Sequence, residues 1–309
     1  MRPTGKNWRS GPPFKIIKIA KMTQSIPLEF LKPTELRIST MVATANTSTQ
    51  IDLISLFTQI HMLLIPLGYP GEGILKMEHR DKVVGIASRD AFTNRKISTK
   101  TFFNQSTIIM RRLIPGKTDA FKEVNIKMFA NGGVQMTGIP SVEFATAALQ
   151  SLLDAIVTLP NNPFKGPAAI SKFNVQLVNS DYTIRFPVKR DDLHNILTRN
   201  YGLFSTNEST IYQGVNTKYY YNTIHKGKEP MGVCHCSDTM CTGQGNGDAE
   251  GQCKRVTLSV FQTGKIIITG ARNMEQIMEV YHYFNKVLMK HGREILRIPD
   301  TDLHSLCVK

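Results

Sequence analysis

Hydrophobic and polar residues alternate along two stretches of the chain that read almost alike. In Val124 to Phe129, the side chains of Val124, Ile126 and Met128 point one way, and those of Asn125, Lys127 and Phe129 the other. This period of two is the signature of a strand with one buried face. In Val256 to Phe261 the same division separates Val256, Leu258 and Val260 from Thr257, Ser259 and Phe261. A glycine-containing turn, a second short strand and a Thr-Gly exit follow each stretch, after which the periodicity becomes helical. Ala145, Leu149, Leu152 and Ile156 make one apolar helical stripe; from about Met274, Ile277, Val280, Tyr281, Phe284, Val287 and Leu288 make another. Strand, hairpin, strand, helix is therefore predicted twice, with one helix covering one face of each sheet. The other face carries polar groups and, at the same place in both stretches, a phenylalanine.

The two stretches are copies at a constant offset of 132 residues: Val124 pairs with Val256, Phe129 with Phe261, Gly132 with Gly264, Thr137 with Thr269, Gly138 with Gly270 and Glu143 with Glu275. The expected fold class is α+β, built from two pseudo-symmetric repeats. Expected boundaries are a basic, disordered leader over 1–30, a first repeat over 31–160, a second over 161–292 with an insertion at about 222–254, and a tail over 293–309.

Composition narrows the partners. The 309 residues carry 38 Lys and Arg against 24 Asp and Glu, a net charge of +14, which favours a polyanion and nucleic acid first. No apolar run is long enough to cross a membrane, and Ile16 to Ile19 is too short for a secretory signal, so a soluble protein is expected. The first 21 residues contain Arg2, Lys6, Arg9, Lys15, Lys18 and Lys21 without an acid, and Met22 is an alternative start. Four of the five cysteines crowd into Cys234 to Cys253, which does not suit a secreted disulfide framework and points to a reducing, intracellular compartment.

VTLSVFQTGKIIITGAR, from Val256 to Arg272, is similar almost position by position to the hairpin of the TATA-box-binding proteins, and the chain resembles the divergent members found in large DNA viruses. TMVATANTSTQIDL (Thr40 to Leu53) resembles that family's opening strand and turn into a helix, and FNVQLVNSDYTIRFPV (Phe173 to Val188) its counterpart in the second repeat. The resemblance spans about residues 35 to 291. It implies a saddle: a curved antiparallel sheet with helices on the convex side and DNA gripped from its minor groove on the concave side. In that family apolar side chains wedge between base steps and kink the duplex.

Site residues carried over by resemblance fall into three groups. The wedges are Phe129 and Phe261, with Tyr212 in IYQGV as partner of the second; the partner of the first is Phe103 acting through a local bulge, because an ungapped alignment of STIIMRR puts Gln105 at that place. The minor-groove floor comprises Thr40, Val42, Thr44, Gln135 and Thr137 from the first repeat, and Leu177, Asn179, Ile267 and Thr269 from the second. Arg111, Lys127, Lys218 and Lys265 are the phosphate-contacting cations. Two departures weaken the expectation of strict TATA preference. Both family Asn positions are changed, to Thr40 and Leu177, and two apolar floor positions become Gln135 and Lys127.

The insertion GVCHCSDTMCTGQGNGDAEGQC has no counterpart in the ordinary family. Cys234, Cys236, Cys241 and Cys253 could bind a structural zinc ion, although C-x-C-x4-C-x11-C is not the usual pair of knuckles. Reduced thiols in a flexible loop and a disulfide in an oxidised particle are the alternatives.

No nucleophile, base and orienting acid stand together, so no enzyme is expected and no cofactor is required. The expected function is that of a general transcription factor that binds and bends promoter DNA as a monomer, in a nucleus or a cytoplasmic viral replication site. By resemblance it recruits a transcription-factor-IIB-like partner and RNA polymerase, with Glu208 the one acid near the matching surface. The alternative is a scaffold that assembles a transcription complex without wedging DNA. An enzyme using the repeats as an accessory domain has too little chain left.

Overall fold

The computed structural model describes residues 32–93 and 103–297. The expected leader at 1–30 and residues 298–309 of the expected tail lie outside the described residues. The chain forms two units that interleave along the sequence. No helix among the described residues is long and apolar enough to cross a membrane.

One unit takes residues 37–181 and 269–277. Its elements are β1 (Arg37–Asn46), α1 (Leu53–Gln59), β2 (Gly73–His79), β3 (Lys82–Gly85), α2 (Ser88–Phe92), β4 (Gln105–Leu113), β5 (Phe121–Phe129), β6 (Gly133–Ile139), α3 (Val142–Val157) and most of β7 (Ser171–Thr183). The strands run antiparallel in the order β3-β2-β4-β5-β6-β1-β7. Alternation sets the faces as expected: Val124, Ile126 and Met128 are fully buried, as are Ala145, Leu149, Leu152 and Ile156 of α3. The helices start at capping side chains. Asp52 accepts from the N–H groups of Ile54 and Ser55, both at 3.0 Å, and Ser141 accepts from that of Phe144 at 3.1 Å.

The other unit takes residues 182–268 and 278–297 with 32–36. It contains α4 (Arg190–Arg199), β8 (Phe204–Thr206), β9 (Gly214–Tyr221), β10 (Lys254–Phe261), β11 (Lys265–Ala271, shared at its end) and most of α5 (Met274–Ile295), with strands ordered β11-β10-β9-β8. Val256, Leu258, Val260, Ile266 and Ile268 of the strands and Val280, Phe284, Val287 and Leu288 of α5 are all buried. One strand position departs from expectation: Ser259 is 3% exposed rather than open, and Asn216 Nδ2 donates to its hydroxyl at 3.4 Å.

The hairpin glycines explain why this turn is spelled the same way twice. Gly132 and Gly264 have φ of 86° and 84°, and each donates its N–H to the carbonyl of the preceding Phe, at 2.9 Å to Phe129 and 2.9 Å to Phe261. A Cβ on Gly264 would lie 2.5 Å from the Ile184 carbonyl oxygen, and one on Gly132 would strike that of Thr49. Positive φ and close backbone approach both demand glycine.

Candidate nucleic-acid interface

The two strand-terminal phenylalanines sit in equivalent registers. Phe261 lies across from Gly214 on β9, and Phe129 lies across from Gln105 on β4. Two residues before Gly214 comes Tyr212, and two before Gln105 comes Phe103. β4 pairs with β5 without interruption from Gln105 to Leu113, and Phe103 stands in the turn just before β4, as Tyr212 stands in the loop just before β9. Tyr212 and Phe261 meet, with ring centroids 5.6 Å apart and planes at 60°. A turn aims Tyr212, whose N–H donates to the Glu208 carbonyl at 2.8 Å, and Arg190 holds the Gln213 carbonyl at 2.6 Å. Phe103 is 65% exposed and has the Arg80 guanidinium 5.3 Å from its ring centroid. Phe129 is half-buried.

Between Phe129 and β7, one unit assembles nearly all of the expected floor. Across β1, β6 and β5, Val42 faces Thr137 and Thr137 faces Asn125, while Thr44 faces Gln135 and Gln135 faces Lys127. Thr40 faces Asn179 and Val42 faces Leu177. Thr269 donates its hydroxyl to Asn179 Oδ1. Ile267, half-buried on β11, belongs to the other unit. Thr40 Oγ1 and Asn125 Oδ1 are covered yet find no hydrogen-bond partner among the described residues. Such atoms call for an explanation, and an external partner is one.

The face also includes residues that the sequence reading missed. Asn125 was assigned to the outward side of its strand but not to the floor, although it lies beside Thr137. Register shifts between β1 and β7 bring Asn174 across from Thr44 and let Gln176 donate to the Thr44 hydroxyl at 2.8 Å. In the other unit Phe204, 63% exposed, stands across from Lys218 on the strand face that carries Phe261. Strict alternation would have reached Asn125 and Phe204; it could not have reached Gln176, because bulges break the period.

The four expected phosphate cations have different surroundings. Lys127 is half-buried in mid-sheet, between Thr107 and Gln135. Lys218 donates to the Thr257 hydroxyl at 3.0 Å; burial, then the positive charge of Arg255, holds its pKa below the ordinary lysine value. Lys265 is exposed at the start of β11. Arg111 has partners within its own unit. Its guanidinium donates to the carbonyls of Gly71 at 3.0 Å, Leu67 at 2.9 Å and Tyr69, and stacks 5.6 Å from the Phe121 ring centroid. Those donors tie down the loop before β2.

Comparison with known proteins bears on this face. A sequence model of the family described as "Transcription factor TFIID (or TATA-binding protein, TBP)" matches residues 251–291, the span of β10, β11 and most of α5. A "TATA-box-binding protein-like" protein of Acanthamoeba polyphaga mimivirus is 29% identical over 222 residues, covering 67% of this chain and 53% of that protein. The chain is a divergent relative of the TATA-box-binding proteins. It spans about half the length of the mimivirus relative. The TATA-box-binding protein of Dictyostelium discoideum is 25% identical over 207 residues, covering 67% of this chain and 74% of that protein. The solved structure of Methanococcus jannaschii TBP aligns with a TM-score of 0.44 at 15% identity, over 83% of this chain and 99% of that one.

The cysteine insertion joins β9 to β10, and the sulfurs of Cys234, Cys236, Cys241 and Cys253 all lie within 4.8 Å of one another, close enough to hold a metal ion. The four are free thiols. Burial pushes the Cys253 and Cys236 thiols above the ordinary value; at Cys241 burial is again the largest single effect, but the Cys253 backbone N–H, donating at 3.2 Å, and hydrogen bonds with the Cys236, Cys253 and Cys234 thiols together lower it.

Proposed function

We propose that this chain binds duplex DNA on its minor-groove side and bends it, as a promoter-recognition factor for transcription initiation. The observation that carries the reading is the Tyr212–Phe261 pair: two large rings in contact at 5.6 Å, one from the loop before β9 and one at the end of β10, with Tyr212 40% exposed. Unstacking a base step costs a few kcal/mol and needs flat apolar groups to fill the gap. Phe103 and Phe129 stand in the same register in the other unit and take the same role.

The floor residues suit what a minor groove offers. That groove presents mainly the acceptors of A·T pairs over a smooth surface, and Thr40, Thr44 and Thr137 carry hydroxyl donors around apolar Val42 and Leu177. Lys127, Lys218 and Lys265 supply phosphate contacts within a chain of net charge +14. The chain then recruits a transcription-factor-IIB-like protein and RNA polymerase, through a surface near Glu208, in a nucleus or a viral replication site. The reading asks for no cofactor and no catalytic group.

One observation favours a second reading, a protein scaffold that has given up wedging: both family Asn positions are replaced, by Thr40 and Leu177, and Arg111 is spent on its own chain. Binding and bending of A·T-rich and G·C-rich end-labelled duplexes across a salt series, with wild type beside Phe129→Ala/Phe261→Ala, separates the two. Selective binding with bending that the double substitution abolishes supports the wedge. Weak, unselective binding that ignores both phenylalanines overturns it in favour of the scaffold.

A further inference from the structure

We infer that the insertion between β9 and β10 is closed by a structural zinc ion held by Cys234, Cys236, Cys241 and Cys253. The inference is independent of DNA binding and rests on how the four sulfurs converge.

Sequence spacing alone leaves the matter open, because Cys253 lies far along the chain from the other three. Folding removes that separation. Cys253 is fixed by the first residues of β10 and is 1% exposed, while the loop bends back so that Cys234 and Cys236 each come within 3.5 Å of its sulfur. In a tetrahedron with zinc–sulfur bonds of about 2.3 Å, neighbouring sulfurs are about 3.8 Å apart. The observed cluster, all within 4.8 Å, has that size. A disulfide bond of about 2.05 Å would require two of these sulfurs to draw together and would leave the other pair to be explained.

Three hydrogen bonds aim N–H donors at sulfurs of the cluster, while Cys236 Sγ also lies 3.8 Å from the Gly251 carbonyl oxygen. Asn222 Nδ2 donates to Cys236 Sγ at 3.3 Å and to Cys253 Sγ at 3.4 Å, and the backbone N–H of Cys253 donates to Cys241 Sγ at 3.2 Å. Donors aimed at sulfur orient ligands and offset their negative charge, as the outer shell of a metal site does.

Between Asn222 and Cys253 no large apolar side chain joins the core. The loop is tied to the strands it joins: the Tyr220 N–H donates to the Gly232 carbonyl at 2.8 Å, the Tyr220 hydroxyl to that of Gly243 at 2.9 Å, and the Arg255 N–H to that of Gly245 at 2.7 Å. Four thiolates favour a soft or borderline ion, and four protein ligands leave no open position for chemistry. The ion therefore serves as a clasp on the β9–β10 hairpin.

The test uses the full chain, purified under reducing conditions without chelator. Elemental analysis is expected to find one equivalent of zinc, and replacement by Co(II) to give the thiolate charge-transfer and visible absorption of a tetrahedral four-sulfur site. Chelation should expose the four thiols to alkylation and speed hydrogen exchange at the Tyr220 and Arg255 amides. Cys241→Ser should bind zinc at least about 100-fold more weakly, and Asn222→Ala, which keeps all four ligands, about 10- to 100-fold more weakly. Should Cys253→Ser fail to fold, Cys241→Ser and Asn222→Ala decide. Metal-free protein with slow exchange at both amides overturns the proposal, whether its cysteines alkylate freely or are joined as disulfides. So does zinc binding that Cys241→Ser leaves intact.

Discussion

Tyr212 and Phe261 touch ring to ring although they come from a loop and a strand end, with centroids 5.6 Å apart and planes at 60°. Each ring restrains the other, so the pair can enter a base step already ordered. We expect Tyr212→Ala and Phe261→Ala each to weaken DNA binding by about 2 kcal/mol, or roughly thirtyfold. Because the two are in contact, the double variant should lose less than the sum. Tyr212→Phe, which keeps the ring, should bind and bend as wild type. Fluorescence anisotropy with a bending assay checks all four; additive losses would show that the rings act separately.

Arg111 and Lys127 should respond differently to substitution, because one is engaged by its own chain. Arg111→Ala leaves the carbonyls of Leu67, Tyr69 and Gly71 without their donors and should lower stability by about 1–3 kcal/mol. It should leave the salt dependence of DNA binding unchanged. Lys127→Ala should do the reverse, reducing the slope of log K against log salt by about 0.9 if the ammonium neutralises one phosphate. A slope lowered by Arg111→Ala and untouched by Lys127→Ala would exchange their roles.

Gly132→Ala and Gly264→Ala test the hairpin common to both units. Each forces a Cβ onto positive φ and against a carbonyl oxygen, of Thr49 in one case and of Ile184 in the other. We expect a loss of at least about 1–3 kcal/mol in chemical denaturation for either one. Gly116→Ala is the control: its φ is also positive, at 76°, but a Cβ there meets nothing within 4 Å. A Gly264→Ala cost equal to that of Gly116→Ala would mean that the strand contact carries no penalty.

These cases mark how far the chain could be read without coordinates. Val124, Ile126 and Met128 against Asn125, Lys127 and Phe129 were legible because a strand repeats every two residues and burial follows that repeat. The turn at Gly264 was legible because only glycine tolerates that backbone. The pairing of Gln105 with Phe129 was not, since alternation within β4 does not say which residue stands opposite. Arg111 looked like any surface cation, because its three acceptors lie in a distant loop. The four cysteines were visible as a group, but their convergence depends on how the loop returns to β10. Local period is written in sequence; register across a hairpin and closure of a long loop are properties of the folded chain.

The last prediction concerns pH. His79, buried at 5% exposure on β2, shares a 2.7 Å hydrogen bond between Nδ1 and the Ser106 hydroxyl, and its Nε2 has no partner among the described residues. Burial, and then the neighbouring charge of Arg80, hold its pKa below the ordinary 6.5, against weaker opposing effects from the Gln105 backbone and Asp52. The unfolded chain therefore takes up this proton first as pH falls. Stability from a neutral His79 is complete above about pH 6.5 and is lost as pH drops from there through the folded pKa. Between pH 7 and 5 the slope from this one group can reach at most about 1.4 kcal/mol per pH unit. His79→Gln keeps a hydrogen-bonding side chain and removes the titration. Denaturation midpoints at pH 7, 6 and 5 should fall more steeply for wild type than for the variant, since every other histidine contributes equally to both. Parallel pH profiles would mean that His79 titrates alike in the folded and unfolded chains, and that its burial carries no penalty on the charged form.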